Sequence, residues 1–245
     1  TFKLQESRIS NNILNSAHSN GAAVYCLDSA PVITNVIINN NVQFEGNPNS
    51  TIIYLDNTNL IVNNNTIYNN ILYSGAGLAR ADNNSHLSIK NSILWNNYPY
   101  NIVGSLNDNN VDGELTISYS NLQSGLDSIS DENLNVNWLG ENIDAIPLLI
   151  DPAGGDFNLH FGSPCIDSGD PSSSLDPDNS PADMGALYYD HSQDDNPTVT
   201  FTLNSLNLNT GTVEVWIENN SPIYGGFQFN MTGIQVSDAV ISDLY

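Results

Sequence analysis

The sequence predicts an all-β protein: a parallel β-helix solenoid with a C-terminal cap, then a partial β-sandwich. Three observations carry this expectation. A seven-residue window recurs five times with apolar residues at the same places, and the stretches between windows hold short β-branched runs. Asparagine supplies 40 of the 245 residues and clusters at one end of each window. After residue 198 the pattern changes to alternating apolar and polar positions.

Windows 6–12, 35–41, 64–70, 91–97 and 119–125 align without gaps. Their fourth positions are Ile9, Ile38, Ile67, Leu94 and Leu122, at steps of 29, 29, 27 and 28 residues. Two residues before each window stand Leu4, Ile33, Val62, Ile89 and Ile117, and directly after it Ile13, Val42, Ile71, Tyr98 and Leu126. These three apolar columns are expected to stack inward, with Ile9, Ile38, Ile67, Leu94 and Leu122 as the core ladder. A repeat of this length with two or three short strands means one coil of a solenoid. Four windows close on an Asn pair, which tolerates left-handed backbone and turns the chain. Asn12, Asn41, Asn70 and Asn97 are therefore assigned as asparagine turns whose amides pass hydrogen bonds from coil to coil. Helical repeats need apolar positions at period 3.6 over ten or more residues, which are lacking. At about 4.8 Å per stacked strand, the coils of residues 1–142 make a rod some 20–25 Å long.

Residues 143–190 read as the closing segment, because an open solenoid end exposes strand edges and core. Phe157, Leu159, Phe161 and Ile166 are expected to cover the last coil, with Gly154-Gly155 and Gly162 making turns. Residues 191–197 read as a linker. In 198–245, Thr198-Val199-Thr200-Phe201-Thr202-Leu203, Thr212-Val213-Glu214-Val215-Trp216-Ile217 and Gly226-Phe227-Gln228-Phe229-Asn230-Met231 alternate as half-buried strands do. Three or four strands do not complete a sandwich. Either later strands continue it or another chain supplies them.

Composition narrows the partners. The chain has 4 Lys+Arg against 27 Asp+Glu, a net charge of -23 and a pI near 4.1. Such a field repels nucleic acid and anionic lipid, and no apolar run is long enough to span a bilayer. A hydrophobic content of 40% excludes a disordered acidic tail. Cys26 and Cys165 are too few for a disulfide scaffold; free thiols are favoured over a single bridge. Thr1 already lies in mid-pattern and Tyr245 follows an alternating stretch, so the sequence is expected to be a segment of a longer precursor.

The strings Asn91-Ser92-Ile93-Leu94-Trp95-Asn96-Asn97 and Asn35-Val36-Ile37-Ile38-Asn39-Asn40 resemble coils of right-handed, pectate-lyase-like β-helix proteins found among secreted bacterial surface proteins. Asn142-Ile143-Asp144-Ala145-Ile146-Pro147-Leu148 is similar to the point where such helices end. Gly162-Ser163-Pro164-Cys165-Ile166-Asp167-Ser168-Gly169-Asp170-Pro171, with Ala182-Asp183-Met184-Gly185-Ala186, resembles the family's closing segment. The resemblance covers residues 1 to about 190. Gly225-Gly226-Phe227-Gln228-Phe229 is similar to an early part of cohesin-like β-sandwich modules. These resemblances imply a right-handed helix and an extracellular, cell-surface location.

Active pectate-lyase-like enzymes would need carboxylate-bound Ca²⁺ and a basic residue to abstract a proton. The only arginines are Arg8 and Arg80 and the only lysines Lys3 and Lys90, with no carboxylates clustered beside either arginine. His18, His86, His160 and His191 are scattered and lack metal-ligand spacing. No catalytic residue is assigned. One ion is singled out, a structural Ca²⁺ held by Asp167, Asp170, Asp176, Asp178 and Asp183; the competing reading makes these aspartates turn formers. Tyr98, Tyr100 and Tyr188-Tyr189 are either core or sugar-stacking surfaces.

The expected function is a non-catalytic structural or adhesive scaffold of a cell-surface or filament-forming assembly. Its expected partners are other copies of itself or other surface proteins, by strand exchange through 198–245, and glycans. The alternatives are a secreted polysaccharide lyase or hydrolase, a carbohydrate-binding module, and a phage-tail β-helix.

Overall fold

The computed structural model describes residues 2–16, 21–46, 50–73, 77–98, 102–103, 113–130, 133–193, 199–207, 210 and 212–219. It divides into two compact units between Gln193 and Asp194.

The first unit is a parallel β-solenoid. In each repeat the chain passes along four walls. On the first wall Lys3–Ser10, Val32–Asn39, Asn59–Asn63, His86–Lys90, Gly113–Ser118 and Leu134–Leu139 stack in parallel. The second halves of the first two strands continue on the second wall with Thr66–Tyr68, Ile93–Trp95 and Asn121–Leu122. The third wall holds Ile13–Ser16, Val42–Gly46 and Ile71–Leu72, with Tyr98 bridged to Ile71. The fourth holds Gly21–Leu27, Thr51–Asp56, Gly77–Asp82, Ile102–Val103 and Ile129–Ser130.

Left-handed residues at fixed positions produce the corners. Asn11, Asn40, Asn69, Asn96 and Ser124 have positive φ between the second and third walls, and so do Glu6, Asn35, Asn64, Asn91 and Tyr119 between the first and second. The latter corner falls on the first position of every window. Three copies carry Asn there, but Glu6 and Tyr119, which have no preference for this conformation, hid the column in the sequence.

Between the corners, apolar side chains stack inward. Ile9 pairs with Ile38, Ile38 with Ile67, Ile67 with Leu94 and Leu94 with Leu122. Leu4, Ile33, Val62, Ile89 and Ile117 form a second unbroken file that ends on Trp138. The third apolar column faces outward instead: Ile13, Tyr98 and Leu126 are exposed, and the buried third-wall positions are Gln43 and Leu72, one residue later. The reason is parity. Asn12, Asn41, Asn70 and Asn97 turn inward at the corner, so alternation sends the next side chain to solvent.

The coil pattern runs past residue 125. Leu134–Leu139 adds a first-wall rung, and Ile143 bridges to Asn121. The closing segment then makes the antiparallel pair Leu149–Asp151 and Asp156–Leu159 and folds back along the outside of the second wall. Its backbone donates from Gly185 to the Asn91 carbonyl at 2.8 Å and from Ala186 to Thr66 Oγ1 at 3.0 Å. Leu159, Cys165 and Met184 bury the outward face of Ile93. Phe157 lies edge-on to Tyr68 and under the Arg8 guanidinium, 5.0 Å from its ring centroid. Phe157, Leu159 and Ile166 thus cover the flank of several coils rather than the last one, and Phe161 is exposed. The cause is the outward file of the second wall, where Ile37 and Ile93 need cover. Gly185, at φ +116°, permits the approach: a Cβ there would stand 2.9 Å from Ile93 Cδ1.

The second unit holds an antiparallel pair, Val199–Asn207 with Thr212–Asn219, broken by a register shift between Leu203 and Ser205. The expected strand at 226–231 and the cohesin-like string lie outside the described residues.

Candidate functional site

The most regular chemistry in the molecule is a file of side-chain amides at the corner between the second and third walls. Asn12 Nδ2 donates to Asn41 Oδ1 at 2.7 Å, Asn41 Nδ2 to Asn70 Oδ1 at 2.9 Å, and Asn70 Nδ2 to Asn97 Oδ1 at 2.9 Å. Each oxygen also accepts the backbone N–H of the preceding Asn, at 3.0–3.1 Å. The second amide proton of Asn41, Asn70 and Asn97 goes back to the carbonyls of Ile9, Ile38 and Ile67. The four residues assigned as turns therefore form the amide ladder, with Asn41 and Asn70 buried, Asn97 half-buried and Asn12 at its exposed end, and the left-handed turn itself falls on their predecessors.

The sequence reading missed a second polar file at the other corner. The Val36 N–H donates to Asn65 Oδ1, the Asn65 N–H to Ser92 Oγ, the Ser92 N–H to Ser120 Oγ and the Ser120 N–H to Asn142 Oδ1. Its signal was the run of small polar residues Asn65, Ser92 and Ser120 at the second window position, which Val36 interrupts in the second copy. These four N–H groups bond to side-chain oxygens in place of carbonyls, and unpaired burial would cost about 1–3 kcal/mol each, so from Val36 onward each copy meets an acceptor on the following rung.

Of the five aspartates assigned to Ca²⁺, Asp170, Asp176, Asp178 and Asp183 accept from backbone N–H groups of their own segment or of His191 just after it, and the Asp167 carboxylate lies 3.4 Å from His191 Nε2. Asp183 Oδ1 and Oδ2 accept from the N–H groups of Asp167 and Tyr189, both at 2.6 Å, while the Asp183 N–H donates to Asp176 Oδ2. Asp178 accepts from Ser180 and from the His191 N–H, and Asp170 from Ser172 and Lys90. Burial pushes the Asp183 carboxyl up to about 6 against two opposing N–H bonds, and burial also raises Asp176. Hydrogen bonds from Ser180, then from the His191 N–H, hold Asp178 down at about 2. Among the described residues no three of His, Cys, Asp and Glu converge as metal ligands.

The described cations Arg8, Arg80 and Lys90 are engaged, and Lys3 is exposed. Arg80 is buried against Asp82 through two contacts of 2.8 and 2.7 Å, and Tyr54 donates to the same carboxylate at 3.0 Å. Burial, then Asp82, holds the Tyr54 phenol well above its ordinary value. Arg8 donates to Asn39 Oδ1 and Gly155 O, and Lys90 pairs with Asp170 at 3.0 Å. A polar cleft of about 400 Å³ on the first wall is lined by Asn59, His86, Glu114 and Asn135 among others. There Glu114 accepts from Asn137 and His86 shares a hydrogen with Thr116. His18 and Tyr100 lie outside the described residues. His160 Nδ1 lies 2.7 Å from the Phe161 carbonyl. Cys26 and Cys165 are free, and burial pushes the Cys165 thiol up to about 11.

Tyr98 is exposed, as are Tyr73 and Phe44 beside it on the third wall, whereas Tyr189 packs against the closing-segment core. Compared with known protein families, curated proteins and solved structures, the chain matches none.

Proposed function

We propose that this chain is a non-catalytic, secreted scaffold segment: a right-handed, pectate-lyase-like β-helix that acts as a stiff spacer in a cell-surface or filament-forming assembly. The single observation that carries this reading is the continuity of the inner files. Two apolar ladders and two polar ladders cross successive coils, so that bending the column breaks buried hydrogen bonds and packing together. Arg8, Arg80 and Lys90 are engaged in structural contacts, which weighs against their serving as the base of a lyase. The tail 198–245 is the start of a cohesin-like sandwich that meets its partners, other copies or other surface proteins, by exchanging strands. Electron microscopy of the purified protein tests the scaffold, with straight rods the expected image. Turnover of pectin, alginate or neutral glycans with added Ca²⁺, abolished by Arg8→Ala or Arg80→Ala, would overturn it in favour of an enzyme.

A further inference from the structure

We infer that the third wall is an adhesive strip for a neutral, extended polysaccharide; this rests on the scaffold reading and names its partner. Three files run side by side along the wall. At the corner, Asn69 donates to Asn40 at 2.7 Å and Asn96 to Asn69 at 3.2 Å, an outer amide ladder. Next stand Ile13, Val42, Ile71 and Tyr98, in register from rung to rung. Beyond them Phe44 and Tyr73 stack with centroids 5.5 Å apart and planes 10° from parallel. Parallel rings this far apart are slid past one another, which leaves part of each face uncovered. Exposure agrees: 67% for Ile13, 53% for Phe44, 63% for Tyr73 and 62% for Tyr98.

Charge selects the partner. In a chain of net charge -23, residues 11–14, 40–44, 69–73 and 96–98 contain no ionisable side chain except the tyrosines. The strip has no cation to recruit a uronate or a phosphate, and the surrounding carboxylates repel both. What fits is an uncharged polymer with C–H faces for the rings and hydroxyls for the amides. An extended chain of pyranose rings running along the column advances about one ring per rung of about 4.8 Å, so each rung offers the same contact again.

The test is retention of the full chain on swollen cellulose and on chitin particles, competed with soluble polygalacturonate. The unmodified protein should be retained on at least one of the two matrices. The triple variant Phe44→Ser/Tyr73→Ser/Tyr98→Ser should lose at least about tenfold in retention, on the order of the stacking contributed by exposed rings, and polygalacturonate should not compete. Tyr98→Ala alone, with a loss of severalfold, keeps the test standing if the triple variant fails to fold. No retention on either matrix, retention unchanged in the variants, or equal competition by polygalacturonate overturns the inference. Rod images from the same preparation separate the two readings: rods without retention refute the strip and leave the scaffold, while the absence of rods refutes the scaffold.

Discussion

Gln43→Leu probes the packing logic of the interior at one defined atom pair. Gln43 is fully buried on the third wall, in register between Leu14 and Leu72, and neither its amide nitrogen nor its amide oxygen has a hydrogen-bond partner among the described residues. A buried polar group left unpaired costs about 1–3 kcal/mol. Leucine fits the same width, removes both orphaned atoms and continues an aliphatic file already set by its two neighbours. The substitution should therefore stabilise the first unit by about 1–3 kcal/mol. For a unit of this size each kcal/mol moves the midpoint by about 2–4 °C, so a rise of several degrees is expected. The assay is thermal and urea unfolding followed by circular dichroism, with the urea slope checked for constancy. A midpoint that falls, or one that stays put while Gln43→Ala lowers it, would show that the amide is satisfied in solution and would refute the reasoning.

Asn70→Ala removes two donors and a doubly used acceptor from the middle of the inner ladder and should cost about 2–4 kcal/mol; Asn12→Ala, at the exposed end, should cost less than half as much in the same urea titration. Acidification works in two directions. Asp183, raised from 3.8 to about 6, is held more readily as the acid in the folded state, so its contribution grows as pH falls from about 6 towards 3.8. Asp178, lowered to about 2, contributes above 3.8 and is lost as pH falls towards 2. The melting temperature should therefore peak at mildly acid pH, and Asp183→Asn should flatten the limb above the peak. Added NaCl should raise the midpoint by screening the excess of 27 acidic over 4 basic residues, and CaCl₂ at equal ionic strength should do no more. A rise specific to Ca²⁺, reversed by a chelator, would identify a bound ion in the closing segment. Gly185→Ala should loosen that segment, seen as faster proteolytic cleavage within 143–190.

The coil repeat was legible because one residue type serves one geometric need in every copy. Ile9, Ile38, Ile67, Leu94 and Leu122 stack because each must fill the same place above the last, and the Asn ladder recurs because each corner leaves the same N–H unpaired. What the sequence concealed follows from the same physics. Apolarity does not say on which side of a bend a residue lies, so Ile13, Val42, Ile71 and Tyr98 resembled core although parity turns them outward. The corner of Asn35, Asn64 and Asn91 was masked by Glu6 and Tyr119 in the outer copies, where the stacked neighbours impose the conformation. The path of the closing segment depends on contacts such as Lys90 with Asp170 and Ala186 with Thr66, 80 and 120 residues apart, which no local pattern encodes. Ile37 and Ile93 at outward positions were the available hint.

That returning segment changes how the column resists opening. A bare solenoid behaves as a row of units, each held only by its neighbours, and frays from its ends. Here one strap touches Arg8 in the first coil, Asn64 and Thr66 in the third, Asn91 and Ile93 in the fourth and Asn121 in the fifth. Lifting any one of these rungs must also strip the strap from the others, so losses that would be local become shared. The polar ladders act in the same sense along the two corners that flank the second wall, because their hydrogen bonds join each rung to the next. Unfolding of residues 1–193 should accordingly occur as one transition. Under hydrogen exchange, the amides of Asn41 and Asn70 should open together with those of Met184 and Gly185, and separate exchange regimes for coils and strap would show that the strap is only laid on the surface.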